Sequence, residues 1–201
     1  MPLRSPDQAP PHKSDTPQRL REIALELFAC KGYQSTSLRD IAAHLGVHAG
    51  SIYNHVDNKQ TLLFELIEDA LDELLQVTRK KLKRATTASA DLSLFIRIFI
   101  NFKKSDHRRL LLVSRESFNL APEQRQYITG LRAQYTRCLS DIIHSEYPTF
   151  CFPRKDAHAV SSTIVAILLN TTLWDTVTAG STTDDILMDM LVRSIAGTPS
   201  N

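Results

Sequence analysis

A chain of 201 residues has room for one medium domain, or for a small domain fused to a larger one. Its formal net charge of +2 excludes binding to nucleic acid by bulk charge, so any such contact depends on where basic and polar groups are placed. The 42% of hydrophobic residues supplies a packed core, but no run of about 18 apolar residues occurs, which excludes a transmembrane helix. Cys30, Cys138 and Cys151 are widely spaced and form no CxxC pair, so neither a disulfide framework nor a zinc knuckle is indicated. They read as buried or half-buried thiols in a reducing cytosol. The start of the chain, MPLRSPDQAPPHKSD, lacks the apolar segment of a signal peptide, and a cytoplasmic protein is expected.

Residues 1–14 carry Pro2, Pro6, Pro10 and Pro11 among polar neighbours and read as a disordered arm. Order is expected from Thr16-Pro17, with Thr as cap and Pro at the first helical position. The first helix then places Leu20, Ile23, Ala24, Leu27 and Phe28 on one face and stops at Lys31-Gly32. A second, short helix is capped by Thr36 or Ser37, where Ser37-Leu38-Arg39-Asp40 has the form of a capping box with Asp for Glu. Its buried face is Leu38, Ile41, Ala42 and Leu45, and Gly46 ends it. A third helix spans roughly residues 48–55, with Ile52 and Val56 inward. Asp57-Asn58 breaks the chain and caps a long fourth helix, whose face is Leu62, Leu63, Leu66, Ile67, Ala70, Leu71, Leu74 and Leu75.

The remainder also reads as helix. Residues 91–104 are apolar on most sides and belong at the centre of a bundle. Helices follow at 108–118 and 122–144, then a proline-bounded loop at 147–153, then helices at 155–178 and 183–195. No strand alternation occurs. The expected fold is therefore all-α with about nine helices. It comprises the arm at 1–14, a three-helix domain with a helix-turn-helix at 15–60, and a larger helical bundle at 61–197.

The segment 36–59, TSLRDIAAHLGVHAGSIYNHVDNK, carries the most information. Two short helices join at Leu45-Gly46-Val47, where Gly46 supplies the left-handed conformation of a tight turn. The second of them is unusually polar, showing His48, Ala49, Ser51, Asn54 and His55. Small side chains at Ala49, Gly50 and Ser51 permit close approach of another surface, and short polar groups there reach base edges in a major groove.

The pattern T-S-L-R-D-I-A-x-x-L-G-V-x-x-G-S-I-Y-N-H-V-x-N-K-x-x-L, preceded by A-L-E-L-F-x-x-K-G-Y, resembles the DNA-binding domain of the tetracycline-repressor (TetR) family over about residues 17–65. The resemblance implies a ligand-responsive repressor that binds double-stranded, pseudo-palindromic operator DNA as a homodimer. It implies that Thr36, Ser37 and Arg39 face phosphates as the second helix opens, and that His48, Ala49, Gly50 and Ser51 start the recognition helix at the base edges. By the same likeness Tyr53, His55 and Lys59 contact phosphates. Two alternatives stay open: Tyr53 packing on the first helix, and His55 as a solvated helix end. Ala49 stands where the family often has a basic or polar residue, which shifts base reading toward His48, Ser51 and Asn54.

In the C-terminal part, the apolar helices are expected to enclose a small effector, apolar or acyl-type. The arrangement bears a weaker resemblance to regulators of acyl-coenzyme A catabolism. Candidate pocket residues are Phe95, Phe99, Arg115, Phe118, Asn119, Tyr135, Asn170 and Trp174, with Asn101, Tyr127 and Arg132 as further polar groups set in apolar helices. The last two helices carry apolar residues on more than one face. The family likeness implies that they form the dimer interface, with Ile164, Leu168, Leu187 and Leu191 meeting across the two-fold axis. No GxSxG, HExxH or Gly-rich phosphate loop occurs, and neither an enzyme, a cofactor, a metal site nor a membrane partner is expected.

Overall fold

The structure is a computed structural model, and it describes residues 16–85, 92–146 and 154–170. The arm at 1–14, the loop at 147–153, Cys151, Trp174, Leu187, Leu191 and the helix expected at 183–195 lie outside the described residues. Within them the chain is helical and contains no strand. The order is α1 (Thr16–Lys31), α2 (Leu38–Leu45), α3 (Ala49–Ile52), α4 (Lys59–Arg84), α5 (Leu92–Ser105), α6 (His107–Arg115), a short 3-10 turn (Ser117–Asn119), α7 (Pro122–Glu146) and α8 (Arg154–Leu169). The chain forms two compact units, Met1–Leu62 and Leu63–Asn201. Among the described residues no helix is long and apolar enough to cross a membrane.

In the first unit α1 packs on α2 and α2 on α3, and the apolar faces read from the sequence are buried apart from Ile23, Leu38 and Val56, which are half-buried. Leu20, Ala24, Leu27, Phe28, Ile41, Ala42, Leu45 and Ile52 are all buried. Each large aliphatic or aromatic side chain so buried contributes about 1.5–3 kcal/mol. Two glycines with positive φ set the corners, Gly32 at 86° and Gly46 at 77°. At the second corner the Val47 N–H donates to the carbonyl of Ala42 at 3.1 Å, closing the end of α2. Helix α3 is shorter than the expected 48–55. The amides of His55 (2.9 Å) and Val56 (3.0 Å) both turn back on the Ile52 carbonyl, so the chain tightens after Ile52 rather than continuing as helix. Asn58 caps α4 as expected, its side-chain oxygen accepting from the Thr61 N–H at 2.8 Å.

In the second unit α5 is the most deeply set helix. Leu92, Phe95, Ile96, Ile98, Phe99, Ile100 and Phe102 are buried, leaving Arg97 and Asn101 exposed. The helix expected at 108–118 is divided. Asp106 caps α6, its carboxylate accepting from the Arg108 N–H at 3.1 Å, and the chain turns at Glu116 into the 3-10 segment. Helix α8 packs mainly on α7 and also on α6. Ile164 and Leu168, expected at a dimer interface, are buried within their own chain at 4% and 0% exposure, which removes them from any outer surface. Of the described cysteines, Cys138 is half-buried as expected, its thiol pushed up by burial, while Cys30 is exposed.

Tyr135 packs its ring on Phe95 at 4.9 Å, and burial raises its phenol far above the ordinary range. The Thr78 hydroxyl lies near enough to offset part of that rise, yet among the described residues neither buried hydroxyl has a hydrogen-bond partner. An unsatisfied buried donor costs about 1–3 kcal/mol. Tyr135→Phe is therefore expected to raise stability by about 1 kcal/mol, read as a higher denaturant midpoint with unchanged slope. A destabilisation of that size would show that the hydroxyl is bonded after all.

Candidate nucleic-acid interface

The turn before α2 is built from residues that the family likeness assigned to phosphates. Thr36 is instead buried at 2% exposure, its hydroxyl donating to the carbonyl of Gly32 at 2.9 Å. Buried, and with its only side-chain proton used internally, it holds the corner rather than facing DNA. Ser37 completes the capping box. Its N–H donates to Asp40 Oδ2 at 2.8 Å, and the Asp40 N–H donates to Ser37 Oγ at 3.2 Å. The Ser37 hydroxyl donates to the same carboxylate at 2.6 Å, and these bonds hold Asp40 below its ordinary value. Of these three, Arg39 is the exposed residue whose side chain is not part of the cap.

Around α3 the division between core and surface is sharp. Ile52 is fully buried, whereas His48, Gly50, Ser51, Asn54 and His55 are exposed and Ala49 is half-buried. Tyr53 is 62% exposed, which decides against its packing on α1. His48 stands at the N-cap of α3 but makes no capping bond with its side chain. A Cβ added at Gly50 would meet nothing within 4 Å. The sequence-predicted residues His48, Gly50, Ser51, Tyr53 and His55 are thus all exposed, within eight positions of chain.

Lys59 is drawn inward. Its Nζ donates to the carbonyls of Tyr33 and Thr36, both at 2.9 Å, and sits 4.0 Å from the centre of the Tyr33 ring. Tyr33 is itself buried, edge-on to Phe28 at 5.4 Å. The first residue of α4 is thereby fastened to the α1–α2 corner, 23 and 26 positions earlier. Tyr33 was missed as a functional residue. Its signal is an aromatic side chain placed directly after a corner glycine, with a lysine at the start of a later helix.

In the second unit the expected pocket residues do not converge. Phe95 and Phe99 are core, Arg115 is exposed, and Phe118 is 69% exposed. The Asn119 amide donates to Glu116 at 2.7 Å. Tyr127 is exposed against Phe64, and its phenol is raised by a bond to Glu68. Asn170 does line a cavity of about 350 Å³, together with Arg132, Ser114, Thr136, Ser162, Val165 and Leu169. A larger cleft of about 500 Å³ runs along Asp69, Asp72, Glu73 and Gln76 beside Arg109. There Arg109 bridges Glu73 and the Asp69 carbonyl, so its charge is already matched.

Two short helices joined at a left-handed glycine, the second with a polar outer face, are the parts of a helix-turn-helix. Residues 20–66 match the model of bacterial regulatory proteins of the tetR family, and residues 85–196 match the tetracyclin repressor-like C-terminal domain. The chain belongs to the TetR family of bacterial regulators. It is 27% identical over 124 residues to the HTH-type transcriptional repressor KstR2 of Rhodococcus jostii, spanning 61% of each chain. It is 26% identical over 122 residues to the fatty acid metabolism regulator protein of Bacillus subtilis, spanning 61% of this chain and 63% of that one. The matched region thus covers about three-fifths of these relatives. Among solved structures, a tetR-family protein from Rhodococcus RHA1 superposes with a TM-score of 0.78 at 22% identity, over 91% of this chain and 98% of the other. AibR in complex with isovaleryl coenzyme A and operator DNA gives 0.75 at 20% identity, over 89% and 97%. At such identities the likeness is one of fold.

Proposed function

We propose that this chain represses transcription by binding a pseudo-palindromic operator as a homodimer through α2 and α3, and that a small acyl-type effector releases it. The observation that carries this reading is the outer surface of α3 and the turn after it, where one buried Ile52 anchors exposed His48, Ser51, Tyr53 and His55. The repressor and fatty-acid regulator names of the relatives support the regulatory role, and the isovaleryl coenzyme A bound to AibR supports an acyl-type effector. Selection of bound fragments from a random DNA pool tests the reading directly. Recovery of a two-fold symmetric site supports it; no enrichment refutes it. On that site Tyr53→Phe is expected to weaken binding to all sequences alike, as loss of a phosphate contact does. His48→Ala or Ser51→Ala is expected to relax preference at particular base pairs by about 1–3 kcal/mol.

For the dimer, the side of α8 that its own chain leaves uncovered is the relevant one. Ala159 and Thr163 are exposed there, flanked by half-buried Val160 and Ile167. Ile167→Asp is expected to yield a folded monomer that has lost operator binding, because one headpiece lacks the partner needed for the second half-site. Leu168→Asp, at a fully buried position, is expected to unfold the unit instead. Light scattering and circular dichroism on the two variants separate these outcomes, and an Ile167→Asp protein that remains dimeric refutes the assignment. Release is proposed to run through α4, whose first residue Lys59 is fastened to the α1–α2 corner and which from residue 63 onward belongs to the second unit. An effector favouring a different tilt of α4 lowers operator affinity by a coupling of about 1–3 kcal/mol.

A further inference from the structure

The cavity between α6, α7 and α8 contains a cation for which the described residues supply no counter-charge. The Arg132 guanidinium donates from Nη2 to the Val113 carbonyl at 2.8 Å and the Ser117 hydroxyl at 3.0 Å, while its Nε is buried without a partner. Both partners are neutral. Among the described residues no carboxylate acts on Arg132, and burial alone displaces its pKa, downward. By contrast, Arg109 in the neighbouring cleft is paired with Glu73. A charge withdrawn from water is costly unless an opposite charge answers it. Within the cavity the Ser114 and Thr136 hydroxyls spend their protons on the carbonyls of Leu111 and Arg132, and the guanidinium is the charged group among the lining side chains. Val165 and Leu169 supply an apolar wall, and the volume of about 350 Å³ suits a small ligand.

We propose that this cavity receives a small molecule carrying anionic oxygens on an apolar chain, the anion seated on Arg132 and the chain along Val165 and Leu169. This names the chemical class of the effector and so rests on the effector-responsive reading above. A free carboxylate and the phosphates of a coenzyme A thioester share the required chemistry, and the test separates them. Octanoate, octanoyl-coenzyme A and neutral 1-octanol are titrated calorimetrically into the full chain and into Arg132→Gln and Ser162→Glu variants. At least one of the two anions is expected to bind, with 1-octanol weaker by about tenfold or more. Arg132→Gln should remove that preference. Ser162→Glu places a carboxylate in the same cavity and should abolish anion binding without lowering the melting temperature, which keeps the test valid if Arg132→Gln fails to fold. Equal binding of 1-octanol, no binding of either anion, or anion affinity unchanged in both variants overturns the proposal. Anion binding that follows the variants but leaves operator affinity unchanged supports the site and refutes the effector-responsive reading alone.

Discussion

Replacing Lys59 with Met is expected to loosen the first unit by about 2–4 kcal/mol while leaving the salt dependence of residual DNA binding unchanged. The methionine keeps the aliphatic stem but removes the Nζ bonds to the carbonyls of Tyr33 and Thr36, both at 2.9 Å, leaving the Tyr33 carbonyl with only the longer 3.3 Å bond from the Thr36 N–H. Hydrogen bonds to a charged donor contribute about 1.5–3 kcal/mol, and the ammonium over the Tyr33 ring adds about 0.5–1 kcal/mol. Operator affinity falls as well, because the corner that presents α2 is no longer fixed to α4. A lysine spent on phosphate behaves in the opposite way: its loss lowers the slope of log affinity against log salt by about one and leaves stability almost untouched. Denaturant unfolding together with binding at several salt concentrations separates the two, and a reduced slope with unchanged stability would return Lys59 to the DNA surface.

The distance between these outcomes marks where the sequence stops being legible. The helices of the first unit follow from period 3.6 and from two glycines, and the residues read as buried in α1 and α2, from Leu20 to Leu45, are buried apart from half-exposed Ile23 and Leu38. The capping box at Ser37 and the cap at Asn58 are also legible, because their bonds close within three residues. Thr36 and Lys59 are different. Whether a threonine beside a cap turns its methyl inward, and whether a lysine that opens a helix reaches outward, depends on atoms more than twenty positions away in the case of Lys59. The end of α3 was equally hidden, since its glycine, Gly50, lies inside the helix rather than at its end and the stop lies in bonds to the Ile52 carbonyl.

The second unit shows the same limit on a larger scale. Periodicity identified α5 as central, and Phe95 and Phe99 are fully buried. It could not distinguish a core face from an outer one on α8, where apolar residues occur all round. Ile164 and Leu168 went to the chain's own core, while Val160 and Ile167 stayed half-exposed. A cavity formed by Arg132 of α7, Ser114 of α6 and Ser162 of α8 depends on how three helices register, and no spacing within one helix encodes that. Among the polar groups embedded in apolar helices, Arg132 differs from the others only once its neighbours are known to be uncharged.

Gly50 permits a variant that separates folding from recognition. It lies within α3 with ordinary helical backbone, since positive φ among the described glycines occurs only at Gly32 and Gly46, and an added Cβ meets nothing within 4 Å. Because the Cβ enters open space and the position is exposed, Gly50→Leu is expected to be accommodated at the surface and to improve helix propensity by up to about 1 kcal/mol, so the melting temperature is expected to hold or rise. On the proposed reading, the same side chain projects from the surface that must come close to the base edges. Operator affinity is then expected to fall by at least the value of one good base contact, about 1–3 kcal/mol, which is roughly 5- to 150-fold. Gly50→Ala, with a single added methyl, should fall between wild type and Gly50→Leu. Anisotropy titrations on the selected operator measure the affinities, and thermal unfolding measures the fold. Gly50→Leu protein that binds the operator as tightly as wild type would place the DNA-reading surface elsewhere on the molecule. A loss of binding that comes only with a lowered melting temperature would mean that Gly50 serves the fold of the headpiece rather than its approach to DNA.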